Sequence, residues 1–177
     1  MTDAVRRVPV TVRVASPDDA PAIRDLALAA WRATYADLIG ADVVERFLAQ
    51  GYTPERVVLR IERHDVFVAG SADGDQSGVD AFIDCVVEDG HAHIAALYTW
   101  PSLRGRGLGT ALLARVVGHY PGLDISADVL AGNDLGEPFY IARGFEPGDD
   151  LDEELGGETI RERRWWLRAR PQALPDA

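Results

Sequence analysis

One segment, residues 97–110, constrains the fold of this 177-residue chain more than any other. An apolar stretch leads into the turn Arg104-Gly105-Arg106-Gly107, and the residues after the turn are apolar at helical spacing: Leu108, Leu112, Leu113, Val116 and Val117. This pattern predicts a strand, a tight turn and a helix. Because glycine has no Cβ, the backbone N–H groups at the start of the helix stay open to an anion. We therefore favour a phosphate-binding turn over a turn with two solvated arginines.

Two features exclude other classes of phosphate or cofactor site. A dinucleotide fingerprint would need a third glycine at position 110, which is Thr110. All 18 basic residues are arginine, and the absence of lysine excludes a lysine-containing phosphate loop, a pyridoxal Schiff base and a protein kinase.

Hydrophobic periodicity along the rest of the chain alternates between strand and helix patterns. Strands are predicted at Val10–Val14, Val66–Ala69, Ala81–Val87, His91–Thr99, Asp124–Leu130 and Glu158–Leu167. Helices are predicted from Ser16 onwards and at Ala41–Gln50, Pro54–Arg63, Leu108–His119 and Pro138–Arg143, with turns at Ser71–Gly78 and Asp89-Gly90. The pattern predicts one α/β domain over residues 1–177, with its core at about 10–168. In it, helices flank a mixed, mainly antiparallel sheet of six to seven strands.

The composition restricts the cellular location and the classes of binding partner that we expect for this protein. Cys85 is the only cysteine and the N-terminus has no apolar signal segment, so we expect a reducing, cytoplasmic location. The net charge of −11 argues against nucleic-acid binding, and no apolar run is long enough to span a membrane. Aspartate outnumbers glutamate about two to one, which fits either adaptation to concentrated salt or the codon bias of a GC-rich genome. We favour salt adaptation.

Two motifs resemble those of the GCN5-related N-acetyltransferases. Arg104–Gly109 matches the family's Gln/Arg-x-x-Gly-x-Gly/Ala motif, and Asn133 precedes Tyr140 and Gly144-Phe145 at the spacing of its second motif. The resemblance covers about Val10–Leu167 and includes the order of elements. It implies the family's fold and an enzyme that transfers the acetyl group of acetyl-coenzyme A (acetyl-CoA) to a primary amine by direct attack.

The resemblance also implies roles for individual residues. The turn would bind the pyrophosphate of acetyl-CoA through Arg104, Gly105, Arg106, Gly107, Leu108, Gly109 and Thr110. The strand edge at Leu97, Tyr98 and Thr99 would pair with the pantetheine amides and donate an N–H to the thioester oxygen. Asn133 would hydrogen-bond the pantetheine, and Tyr140 would protonate the leaving thiolate.

The candidate for the base that deprotonates the amine departs from the carboxylate of related enzymes. Histone-acetylating relatives use a glutamate on the fourth strand, and counting back eleven residues from Arg104 places His93 there. A histidine can accept this proton directly or through a water. An alternative base is Glu88 or a water held by backbone carbonyls. His91 and His93 would then be two partly buried structural histidines, or a metal pair. We predict no metal, because we recognise no third ligand nearby in the sequence.

The remaining candidates have structural interpretations. Cys85 is expected in the core, and Trp31 and Tyr35 either pack in the core or contact the acceptor. The acidic run at residues 149–154 has two equally good interpretations, a solvated loop and a surface that attracts a cationic acceptor. Pro138 is tolerated only in a first turn, so the short helix should begin near Glu137.

Two other functions fit the same motifs. One is a non-catalytic module that binds or senses acyl-CoA, and the other is an acyltransferase with a different donor or a non-amine acceptor. The acceptor itself stays open among a polyamine, an aminoglycoside, an amino acid and a protein N-terminus. The sequence also leaves open whether the chain forms a homodimer.

Overall fold

The computed structural model describes residues 9–71 and 78–169, which form seven strands and five α-helices. In chain order the elements are β1 (Val10–Val14), α1 (Ala20–Ile39), α2 (Ala41–Gly51), α3 (Pro54–Arg63), β2 (Asp65–Ser71), β3 (Ala81–Glu88), β4 (His91–Thr99), α4 (Leu108–His119), β5 (Ile125–Leu130), α5 (Gly136–Ile141), β6 (Glu146–Leu155) and β7 (Glu158–Leu167). None of these helices is long and apolar enough to cross a membrane.

The sheet has the strand order β1-β2-β3-β4-β5-β7-β6. Strands β4 and β5 are parallel, and every other neighbouring pair is antiparallel. This confirms the predicted mixed, mainly antiparallel sheet. Of the predicted turn at Ser71–Gly78, residues 72–77 lie outside the described residues, but β2 and β3, which flank it, pair as in a hairpin.

The interpretation of the acidic run as a loop is wrong: these residues lie in β6, the edge strand that pairs with β7. Opposite charges across the two strands stabilise the pairing. Asp150 accepts hydrogen bonds from Arg163 at 2.7 Å and from Arg161 at 3.2 Å, and Arg161 also reaches Asp152 at 3.5 Å. The strand was missed because β6 lacks the alternation of apolar residues that marks a half-buried strand.

Helices cover both faces of the sheet and enclose two apolar clusters. On one face, α1, α2 and α3 bury residues such as Leu26, Val44 and Phe82. On the other, α4 buries Leu112 and Val116 against β2–β5. Cys85 is fully buried in this second cluster, as predicted, and burial raises the pKa of its thiol.

Strand β4 departs from regular pairing in its middle. Ala95 has no counterpart on β3, because Cys85 pairs with Ile94 while Asp84 already pairs with Ala96. On its other side β4 pairs with β5 only over Ala92–Ile94. From Ala95 onwards the β5-facing edge of β4 is therefore unpaired, which opens a gap between two central strands.

Candidate active site

A cavity of about 1180 Å³ lies beside the end of β4 and extends over the start of α4 and along α5. We call it the cofactor cavity. All eleven residues predicted to bind the cofactor line it: Leu97, Tyr98, Thr99, Arg104, Gly105, Arg106, Gly107, Leu108, Gly109, Thr110 and Asn133. Tyr140 lines it as well, whereas His93 does not. The structure thus brings together every predicted site residue except the proposed base.

The turn before α4 depends on two glycines in the left-handed region. Gly105 has φ +78° and Gly107, the N-cap of α4, has φ +89°. A Cβ added at either position would meet no described protein atom within 4 Å, so the backbone conformation, and not crowding, requires glycine there. The first N–H groups of α4 have no partner within the helix and are oriented for an anion.

The arginines around this turn have no carboxylate partner among the described residues. In the described part of the chain, nine arginines form ion pairs with carboxylates. None of the three that line the cofactor cavity does so. Arg104 donates instead to the Thr34 hydroxyl at 2.7 Å, and Arg143 donates to the Phe139 carbonyl at 2.7 Å and lies over the Phe139 ring. Together with Arg106, they keep their positive charge uncompensated by protein.

Asn133 lies in the cofactor cavity but is engaged in local structure. It is 7% exposed, and its Oδ1 accepts the backbone N–H groups of Leu135 and Gly136, both at 3.1 Å. Its Nδ2 donates to the Tyr35 hydroxyl at 3.3 Å. The side chain therefore turns the chain into α5, which begins at Gly136, one residue before the predicted start. Its second amide hydrogen is the group left to bind a ligand.

Tyr140 is held by aromatic packing on α5. Its ring lies between Phe139 and Phe145, with centroids 5.2 Å and 4.9 Å away. Burial raises the pKa of its hydroxyl well above the ordinary value for tyrosine. The phenol therefore stays protonated at neutral pH, which is the state that a proton donor requires.

His93 lies on the α1 side of the sheet, four residues before Leu97. Its Nδ1 is 2.9 Å from the Ser126 hydroxyl, and its Nε2 is 4.0 Å from a carboxylate oxygen of Asp128. Burial lowers the pKa of this imidazole, although Asp128 and Glu88 oppose the shift. The ring is therefore neutral at pH 7 and able to accept a proton.

The model of the acetyltransferase (GNAT) family matches residues 20–145, well over half of the chain. The chain belongs to this family. A spermidine N(1)-acetyltransferase of Thermoplasma acidophilum is 24% identical over 164 residues, which are 88% of this chain and 98% of that protein.

Two solved structures share the fold. PaiA N-acetyltransferase from T. acidophilum, in complex with coenzyme A, has a TM-score of 0.70 at 21% identity and covers 88% of this chain and 98% of its own. YncA from Salmonella typhimurium, solved with acetyl-CoA, has a TM-score of 0.64 at 18% identity over 95% and 98% of the two chains. The expected fold and family are confirmed, and the protein is an acetyltransferase.

One group of residues in this acetyltransferase was not predicted as a set, although its member Glu153 belongs to the acidic run considered above for a cationic acceptor. Asp128 of β5, Glu153 of β6 and Glu162 of β7 lie on the α1 side of the sheet, which we call the carboxylate face. Arg164 binds Asp128 through two hydrogen bonds of 2.7 and 2.8 Å. Glu153 and Glu162 form no ion pair within residues 9–71 and 78–169.

The surroundings of Glu162 disfavour its charged form. Burial, followed by the charges of Asp128 and Glu153, raises its pKa to about 7. After burial, the charge of Glu162 is the next cause that raises the pKa of Tyr35, which lines the cofactor cavity. The carboxylate face thus adjoins the cavity at Tyr35. No local motif could have revealed it, because three separate strands supply its residues.

Proposed function

We propose that the protein transfers the acetyl group of acetyl-CoA to a primary alkylamine through a tetrahedral intermediate. The observation that carries this proposal is the cofactor cavity, which collects an anion-binding helix start, an unpaired strand edge and Tyr140. A pyrophosphate, a pantetheine arm and a thioester need these three features in this order.

The first two features bind and activate the donor. The α4 N-terminus and the unpaired charges of Arg104 and Arg106 hold the pyrophosphate. The edge of β4 beyond Ala95 offers backbone groups to the pantetheine amides. A β4 N–H near Leu97 donates to the thioester oxygen and stabilises the oxyanion that forms when the amine attacks.

Two side chains move the protons. The amine is an ammonium at neutral pH and must lose a proton before its nitrogen can attack the carbonyl carbon. His93 accepts this proton through water, since it lies outside the cofactor cavity. As the intermediate collapses, the C–S bond breaks and Tyr140 donates its proton to the departing thiolate.

The carboxylate face supports a polycationic alkylamine as the acceptor. Glu153 and Glu162 form no ion pair with an arginine of the described residues, and a second ammonium group of the acceptor would supply the missing charge. The similarity to a spermidine N(1)-acetyltransferase points to the same class. A panel of a polyamine, a diamine, a monoamine, an aminoglycoside and an amino acid, at low and high salt, tests this choice by mass spectrometry of the products. A panel in which no amine is acetylated would favour the non-catalytic acyl-CoA module.

The proton transfers are tested by removing one group at a time. Tyr140→Phe should lower kcat by about 10²-fold to 10⁴-fold with little change in acetyl-CoA affinity, because only the acidic hydrogen is lost. Tyr120→Phe removes a hydroxyl at the far end of α4 and is the matched control. His93→Ala should lower kcat at least tenfold. Full activity in both Tyr140→Phe and His93→Ala would exclude this mechanism.

A further inference from the structure

Three potential metal ligands meet where β3 turns into β4. Glu88 is the last residue of β3 and pairs directly with His91, while His93 lies two residues further along β4. One ligand atom from each of the three lies within 4.8 Å of the other two. The tight turn at Asp89 and Gly90, both at positive φ, holds the two strand ends in this register.

His91 carries an unsatisfied nitrogen. The residue is only 8% exposed and its ring packs on Trp166, with the centroids 4.8 Å apart. Its Nε2 is shielded from solvent and has no hydrogen-bond partner in the described part of the chain. Because buried imidazole nitrogens normally have a partner, this atom points to a missing ligand.

His93 is oriented as a metal-binding histidine is. Its Nδ1 is 2.9 Å from the Ser126 hydroxyl, which fixes the ring and directs Nε2 away from that contact. Such a hydrogen bond to the second nitrogen is the usual support of a ligating histidine. Asp128 lies 4.0 Å from Nε2 but is held by Arg164, so Glu88 is the carboxylate left to bind.

We propose that Glu88, His91 and His93 form a binding site for a divalent metal ion of the zinc type. Two imidazoles and one carboxylate favour zinc over magnesium or calcium, and three protein ligands leave one position open. Metal–ligand bonds of about 2.0–2.1 Å require the ligand atoms to approach to about 3.4 Å. Glu88 is exposed, and its side chain can make this movement. We predicted no metal from the sequence because Glu88 was not recognised as the third ligand.

The test is a zinc titration of the untagged, chelator-treated protein by calorimetry in 0.5 M NaCl, with cobalt absorption as a second readout of coordination. The salt screens the general attraction of cations to this acidic chain. The wild type should bind one zinc ion with a Kd of about 10 µM or tighter. Glu88→Gln should weaken binding at least tenfold, and His91→Ala at least a hundredfold.

Asp89→Asn is the matched control, because it removes one carboxylate charge next to Glu88 but outside the cluster. It should leave the Kd unchanged. Absence of saturable binding by the wild type would overturn the site. So would equal losses in Asp89→Asn and Glu88→Gln, which would mean that zinc only collects near negative charge.

Metal binding has a consequence that rests on the proposed function. Zinc at this site would occupy the His93 nitrogen that accepts the proton. The rate of acetyl transfer, measured by mass spectrometry of the product, should therefore fall as zinc is added, with a midpoint at the same zinc concentration as the binding curve. If zinc binds without slowing transfer, the metal site stands and the assignment of His93 as the base is wrong.

Discussion

The cofactor cavity and the carboxylate face meet at Tyr35 but carry groups of opposite charge. The cavity uses backbone N–H groups, glycines at positive φ and arginines that no carboxylate neutralises. The face uses carboxyls, two of which form no ion pair with any arginine that the structure describes. In a chain of net charge −11, nine of the described arginines form ion pairs, whereas the three that line the cavity form none. At these two adjoining places the charges that lack a protein partner have opposite signs, and each would complement a ligand group of the other sign.

The largest expected effect tests the cavity. Gly107→Val places a branched side chain where the structure has open space and a phosphate would lie, so acetyl-CoA should bind more than a hundredfold more weakly. Calorimetry measures the affinity.

The control for this prediction is Gly122→Val. Gly122 has a similar φ of +84° and also faces open space, but lies in the loop after α4, away from the cavity. Both variants should lose similar stability from backbone strain, and only Gly107→Val should lose binding. A folded Gly107→Val protein with wild-type affinity would show that this turn does not hold the cofactor.

The second prediction tests the carboxylate face. Glu162→Gln should raise KM for a diamine or polyamine by about tenfold, because a half-buried partner of the second ammonium is lost. KM for a monoamine should not change. Glu154→Gln removes the same charge from the exposed opposite side of β6, and serves as the control. An equal rise in KM for the monoamine would mean that Glu162 acts in the reaction and not in recognition.

These two regions also differ in how far the sequence predicts them. Arg104–Thr110 is contiguous, so its glycine spacing carries its own structural signal, and all of its residues line the cavity. Glu162 faces Asp128 and Glu153 only because β7 lies between β5 and β6 in a particular register. Glu88 likewise meets His93 through strand pairing. Pairing between distant strands leaves no pattern in the local sequence. For β6 even the strand itself was not recognised from its sequence.

The third prediction concerns pH and stability. The pKa of Glu162 is raised to about 7, so the folded protein binds a proton there more tightly than the unfolded chain does. This contribution is present at low pH and is lost as the pH rises through about 7. Glu162→Gln should therefore raise Tm at pH 8 by about 2–4 °C and leave it almost unchanged at pH 5. Equal shifts at both pH values would mean that Glu162 is ionised throughout.

The smallest expected effect concerns the charge of the whole molecule. With 29 acidic and 18 basic residues, the folded chain repels itself, and screening should relieve this repulsion. Salt also weakens the surface ion pairs of β6 and β7, but exposed pairs contribute little. We therefore expect Tm at pH 7.5 to rise by a few degrees between 0.1 and 2 M KCl. At pH 5, close to the sequence pI of about 4.7, the net charge is small and the rise should disappear. A Tm that is flat or falls with salt at pH 7.5 would mean that the absence of lysine reflects codon bias. A rise in Tm that persists at pH 5 would mean that general salting-out, and not relief of charge repulsion, stabilises the protein.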